Sequence, residues 1–167
     1  MEANISKSRF VSRFGGIYEN SPWVAEQAWD QGLDGSNVLA LIDPMRWIVD
    51  QSGEDRKLTL LRAHPDLAGK LAVSGELTPA SASEQAGAGL DQCSPEEFAA
   101  FQDLNETYKD RFRFPFILAV KGHDRTSILA SFRKRIGNAA DIEFQTAIEQ
   151  VHRIARFRLE TLATEQK

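Results

Sequence analysis

The sequence predicts an all-α protein: a single compact helical domain of about seven or eight helices with one buried extended connector. Three observations predict it. Apolar residues recur mostly at three- and four-residue spacing, the period that gathers them on one face of a helix. Several segments open with a capping residue followed by proline, the chemistry of a helix start. The length, 167 residues, suits one domain, and no internal repeat or linker breaks it, so the domain is taken as 1–167.

In chain order, Ser21-Pro22 is the first cap-then-proline pair. A helix is expected over about 36 to 52, where Pro44 kinks or splits it, and another from about Glu54 to Ala63. Thr78-Pro79 repeats the start signature. Ser94-Pro95-Glu96-Glu97 is the clearest start of all, because serine caps, proline suits the first helical position and Glu97 can close a capping box. Behind it Phe98, Phe101, Leu104, Tyr108 and Phe112 make one stripe, which predicts a helix over about 95 to 112. Phe114-Pro115-Phe116-Ile117-Leu118-Ala119-Val120 breaks the pattern: short, apolar and interrupted by proline, with no second strand to pair with, it reads as the buried connector. Asp124 caps a helix with Ile128, Leu129, Phe132 and Ile136 inward, stopped by Gly137. The last helix runs from about Ala140 to Ala163, with Phe144, Ala147, Ile148, Val151, Ile154, Ala155 and Leu162 on one side.

Composition narrows the function. The chain is 42% hydrophobic, 26% charged and 9% aromatic, which excludes disordered and low-complexity classes. Twenty Lys and Arg against twenty-four Asp and Glu give a net charge of −4, a poor footprint for nucleic acid or an anionic membrane. The lone Cys93 favours a reducing compartment, and neither the start, Met1 to Lys7, nor the end, Thr164 to Lys167, carries a targeting signal. A cytoplasmic protein without membrane spans is expected.

Four places depart from simple core patterning. Arg158 points into the middle of the last helix's apolar stripe, whereas Arg153 and Arg156 face away. A guanidinium there needs a partner: an internal ion pair, a snorkelling path to water, or a bound anion. His64 precedes Pro65 in Arg62-Ala63-His64-Pro65-Asp66-Leu67, and proline ends the preceding helix about there. Carbonyls at that helix end would favour the imidazolium, and both a capping role and catalysis fit. His123 lies in a polar turn, and His152 falls about 120° from the stripe centre by the helical period. The segment Thr78 to Gly89 has almost no large side chains. As a helix it would turn Ser81, Glu84, Gln85 and Ala88 to one side; taken alone it reads as a mobile surface loop. Finally, Arg111-Phe112-Arg113-Phe114-Pro115-Phe116 interleaves arginine with aromatics, a pattern better explained by core packing than by a nucleic-acid platform.

No phosphate-binding glycine loop, zinc spacing or nucleophile elbow is present, and Cys93 is incidental although a following helix start could lower its pKa. One histidine, one glutamate, one arginine and small hydroxyls remain. They suit proton transfer on a small polar anion, with no metal and no cofactor.

At these residues the sequence resembles the 2-oxo-4-hydroxy-4-carboxy-5-ureidoimidazoline (OHCU) decarboxylases of uric acid degradation. The resemblance covers nearly the whole chain: Phe14-Gly15-Gly16-Ile17-Tyr18-Glu19 with Ser21-Pro22-Trp23-Val24-Ala25, then Arg62 to Leu67, Ser81-Ala82-Ser83-Glu84-Gln85, Phe114-Pro115-Phe116 and Arg158-Leu159. It implies an all-α, cofactor-free enzyme, typically a homodimer, that forms (S)-allantoin and carbon dioxide. By position, His64 would be the acid/base, and Glu84 and Ser81 would hold ring and ureido nitrogens. Arg158 would grip a substrate oxygen, and Gln85, Pro65 and the backbone of Phe116, Ile117, Leu118 and Ala119 would line the pocket. Two other classes stay in view: a non-catalytic helical module that binds a purine-derived ligand, and a metal-dependent hydrolase built on His64, Asp66, Glu84 and His123.

Overall fold

The computed structural model describes residues 5–165. Met1 to Asn4 and Gln166-Lys167, part of the reading of the chain ends, lie outside the described residues. Among the described residues there are nine α-helices and no strand, and no helix is long and apolar enough to cross a membrane. The described residues group into two compact units: 5–63 with 152–165, and 64–151.

The first unit contains α1 (Lys7–Phe14), α2 (Trp23–Asp30), a 3-10 turn (Val38–Leu41), α3 (Ile42–Asp50) and α4 (Glu54–Arg62). The expected 36–52 helix is divided before Pro44, which sits in the first turn of α3, where a missing N–H costs nothing. Helix α1 is capped by Ser6, whose Oγ accepts from Arg9 N at 3.3 Å, and it turns Phe10 and Phe14 inward with their rings 4.8 Å apart. The cap expected at Ser21 is not made: Pro22 occupies the cap position and Ser21 Oγ donates to Glu19 O at 2.9 Å. Gly35 has a positive φ of 75°, and a Cβ there would meet the Phe14 ring at 2.5 Å, so glycine is required twice over.

The second unit contains α5 (Lys70–Ser74), α6 (Pro79–Gly87), a 3-10 turn (Leu90–Gln92), α7 (Pro95–Phe112), α8 (Arg125–Arg135) and the start of α9 (Ala140–Glu165), whose residues from His152 belong to the first unit. Helix α5 buries no side chain, so no periodicity announced it. The capping box at α7 forms as expected: Glu97 N donates to Ser94 Oγ at 3.1 Å and Ser94 N to Glu97 Oε1 at 3.0 Å. Asp124 caps α8 by accepting from Ser127 N at 2.8 Å. Helix α6 replaces the mobile loop favoured for residues 78–89, because Thr78 Oγ1 accepts from Ser81 N and seven of its nine residues carry side chains with reasonable helix propensity.

Residues 114–120 are buried throughout and belong to no helix or strand. Backbone groups in such a segment must be satisfied by side chains. Arg135 donates to Ile117 O at 2.6 Å, and Ala119 N donates to Gln150 Oε1 at 3.0 Å. Phe116 stacks on Phe132 of α8 at 3.9 Å and meets Tyr108 of α7 edge-on. The phenylalanines of 112–116 are therefore core, as expected. Arg135 is itself paired with Glu143, which also accepts from Tyr108 and Asn138. Burial, with Glu143 as acceptor, raises the Tyr108 phenol far above its ordinary range, so it serves as a donor.

Candidate active site

Helix α4 ends at Arg62, as the proline three residues on leads one to expect, and His64 is buried at the start of the turn that follows. The corner from His64 to Gly69 has no regular structure of its own. Its backbone is held by side chains: Gln85 Nε2 donates to Asp66 O at 3.2 Å, and Gln85 Oε1 accepts from Ala68 N at 3.0 Å. Asn105 donates to Leu67 O at 2.9 Å and Gln102 to Ala68 O at 2.8 Å. Ala68 adopts φ 51°, a left-handed conformation that alanine avoids. An added Cβ at Gly69 would sit 2.6 Å from Asp66 Cβ, so the turn is closed tightly on itself.

The short residues of α6 let that helix present polar groups inward. Ser81 and Gln85 are buried, Glu84 is half-buried, and Ala88 completes the face, the arrangement expected from three- and four-residue spacing. Of the residues picked out from the sequence, the structure joins Gln85 directly to the segment that follows His64 and Pro65. Phe116 to Ala119 lie in the same unit, with Ile117 O and Ala119 N already engaged by Arg135 and Gln150.

Arg158 belongs to the first unit. It is buried on the inward face of α9, as the stripe implied, and its Nη2 meets Glu19 Oε2 at 2.8 Å while Nη1 donates to Gly16 O at 2.9 Å. The internal ion pair foreseen for it is therefore present, and the fork is fixed in orientation by a buried carboxylate and a carbonyl. His152 lies off the apolar stripe, as its place on the helix implies, yet it is buried, with Nδ1 2.8 Å from Tyr18 OH and Nε2 2.8 Å from Asp50 Oδ1. The buried arc of α9 is broader than the apolar stripe because its edge is lined with polar residues that have partners.

Cys93 also departs from expectation. Burial raises its thiol pKa, and the Glu97 carboxylate adds to the effect. Two residues of the metal-site alternative are otherwise engaged: Asp66 with Lys109 at 2.7 Å and His123 Nδ1 with Ser127 Oγ at 2.9 Å. Among the described residues no three His, Cys, Asp or Glu side chains gather as a metal site would require.

Sequence reasoning missed Gln102, Asn105, Glu19, Arg135 and Glu143. The stripe expected for α7 is corrected at two places: its buried residues are Phe101, Asn105, Tyr108 and Phe112, so Asn105 takes the inward place expected of Leu104, and Phe98 is exposed.

A helical fold presenting a buried histidine in a braced turn, next to a helix with a polar inner face, defines a protein suited to proton-transfer chemistry on a small polar molecule. The sequence profile of the OHCU decarboxylase family matches residues 3–160. The 2-oxo-4-hydroxy-4-carboxy-5-ureidoimidazoline decarboxylase of Haloferax volcanii is 45% identical over 150 residues, 90% of this chain and 86% of its own length. That of Halalkalicoccus jeotgali is 43% identical over 156 residues, 93% and 86% of the two chains. A crystal structure of (S)-allantoin synthase, 34% identical, superposes with a TM-score of 0.73 over 94% of this chain and 50% of that one. The chain belongs to the OHCU decarboxylase family.

Proposed function

We infer that this protein is a carboxy-lyase that converts OHCU to (S)-allantoin and carbon dioxide in uric acid degradation. The observation that carries the reading is identity of 43–45% to decarboxylases of that name over at least 90% of the chain. The family profile, running from residue 3 to residue 160, also supports reading 1–167 as one functional domain.

The substrate supplies its own electron sink. Loss of carbon dioxide leaves an electron pair on a ring carbon next to a carbon–nitrogen double bond, into which the pair can pass. A proton delivered to one face of the carbon that becomes the stereocentre then sets the configuration. In this reading His64 guides the carboxylate out and returns the proton, a contribution of roughly 10²–10⁴-fold for a positioned acid/base. Glu84 accepts from ring and ureido N–H groups, Ser81 adds a hydroxyl, and Gln85, Pro65 and the backbone of 116–119 line the cavity. Arg158, already oriented by Glu19, opposes the negative charge that develops on a substrate oxygen. The burial of His64, Ser81, Gln85 and Arg158 supports these roles, since electrostatic groups act most strongly away from water. A homodimer in the cytoplasm completes the proposal; light scattering on the purified chain tests the first part.

The deciding experiment adds the protein to freshly oxidised urate and follows circular dichroism. Accumulation of (S)-allantoin is expected. Racemic product at the spontaneous rate, with ligand binding retained, would instead identify a non-catalytic binding module.

A further inference from the structure

We propose that Gln102 and Asn105 of α7 are positioning residues for this reaction, acting through the 64–69 corner to hold the His64 imidazole in place. The inference rests on the reading of His64 as the acid/base. Proton delivery to one face of a planar intermediate demands an imidazole that does not wander, and His64 sits on a turn rather than on a helix or strand. Pro65 fixes one backbone dihedral of the turn, but residues 64–69 have no regular secondary structure to hold the rest, so further rigidity must come from outside it.

Helix α7 supplies it. Gln102 and Asn105 are three residues apart, so one helix face carries both carboxamides. Their N–H groups reach two successive carbonyls, Ala68 O and Leu67 O, at 2.8 and 2.9 Å. Gln85 closes the other side by taking Ala68 N. Both backbone groups of Ala68 are thus held, at the one residue of the corner whose φ, 51°, an alanine would leave if released.

Asn105 shows that this arrangement is not simply packing. It occupies an inward slot between Phe101 and Tyr108, where a leucine would fill the core. Its Oδ1 is buried and has no hydrogen-bond partner. A buried acceptor without a partner works against stability, so the donor half of the amide, spent on Leu67 O, accounts for the residue.

The test compares Asn105→Leu and Gln102→Leu with wild type and with His64→Asn, all as full-length chains. In both Leu variants kcat for stereospecific allantoin formation should fall about 10- to 100-fold while KM stays within about twofold, the signature of a misplaced catalytic group rather than lost substrate contact. Asn105→Leu exchanges a buried amide oxygen without a partner for a Leu67 carbonyl without one, so its melting temperature should stay close to that of wild type while kcat falls. Amide hydrogen exchange at Ala68 should quicken by at least about tenfold in both. If Gln102→Leu fails to fold, Gln102→Met, close in shape and without the donor, takes its place. Unchanged kcat in the Leu variants alongside an inactive His64→Asn would overturn the proposal, as would unchanged exchange at Ala68. An active His64→Asn would instead bring down the acid/base reading, leaving the exchange measurement to judge the tether.

Discussion

Arg135 and Arg158 are held in almost the same way. Each side chain is 8% exposed, each meets a carboxylate that is at most 1% exposed, and each donates to a backbone carbonyl in an irregular segment. Yet the sequence marks only one of them. Arg158 interrupts an apolar stripe, whereas Arg135 ends a run of three basic residues, Arg133-Lys134-Arg135, that resembles the solvated last turn of a helix. The Arg135 pair sits in a network with Tyr108 and Asn138, over the face of Phe116 at 4.3 Å, and its work is to anchor the connector. Burial and an ion pair therefore do not by themselves mark a functional arginine. The assignment of Arg158 to chemistry comes from its place in the family pattern, and the two sites should respond differently to the same substitution.

The largest effect is expected at the carboxylate of the connector site. Glu143→Ala strands Arg135 and should cost about 3–5 kcal/mol of stability in urea unfolding; a loss under about 1 kcal/mol would mean that Arg135 finds another anion. At the arginines themselves the two sites should separate. Arg158→Lys keeps the charge but loses the fork, and turnover should drop about 10²–10³-fold. Arg135→Lys should lose at least about tenfold less turnover, with the larger fall in stability. Equal kinetic losses in the two Lys variants would erase the distinction.

Smaller effects test the frame around the corner. Ser94→Ala removes one half of the α7 capping box and should cost about 1 kcal/mol, read from the shift in urea midpoint. The smallest concerns Glu97. The Ser94 N–H, and then the Arg125 guanidinium, hold its carboxyl below the usual carboxylate range. A depressed folded pKa contributes stability that is present above the unfolded value and disappears as pH falls through the folded one. The difference between wild type and Glu97→Gln should accordingly shrink toward zero as urea unfolding is moved from neutral to strongly acidic pH. A difference that stays constant across that range would show that the cap, not the charge, is what Glu97 supplies.

Much of the fold was legible because it depends on local rules. The Ser94 box, the end of α4 before His64-Pro65, the Asp124 cap and the buried 114–120 connector all follow from a few adjacent residues. What was not legible depends on partners distant in sequence. His152 lies off the apolar stripe, and its hydrogen bonds to Tyr18 and Asp50 reach across long stretches of sequence. Glu143 is one of the first-turn acids of α9, and its burial follows from Tyr108 and Arg135, which reach it from other helices. In the candidate site, His64, Ser81, Glu84, Gln85 and Arg158 could be picked out by type and by the family pattern. The residues that brace them could not, because a glutamine or asparagine on a helix surface looks the same whether it faces water or a carbonyl.

The claim on which the account turns is that the His64 imidazole carries the stereospecific step. It is tested most directly by following the appearance of (S)-allantoin by circular dichroism, from freshly oxidised urate, for wild type and His64→Asn. The account predicts a loss of at least about 10²-fold in the variant, with its melting temperature close to that of wild type. Near-normal (S)-allantoin formation by a folded His64→Asn protein would contradict it.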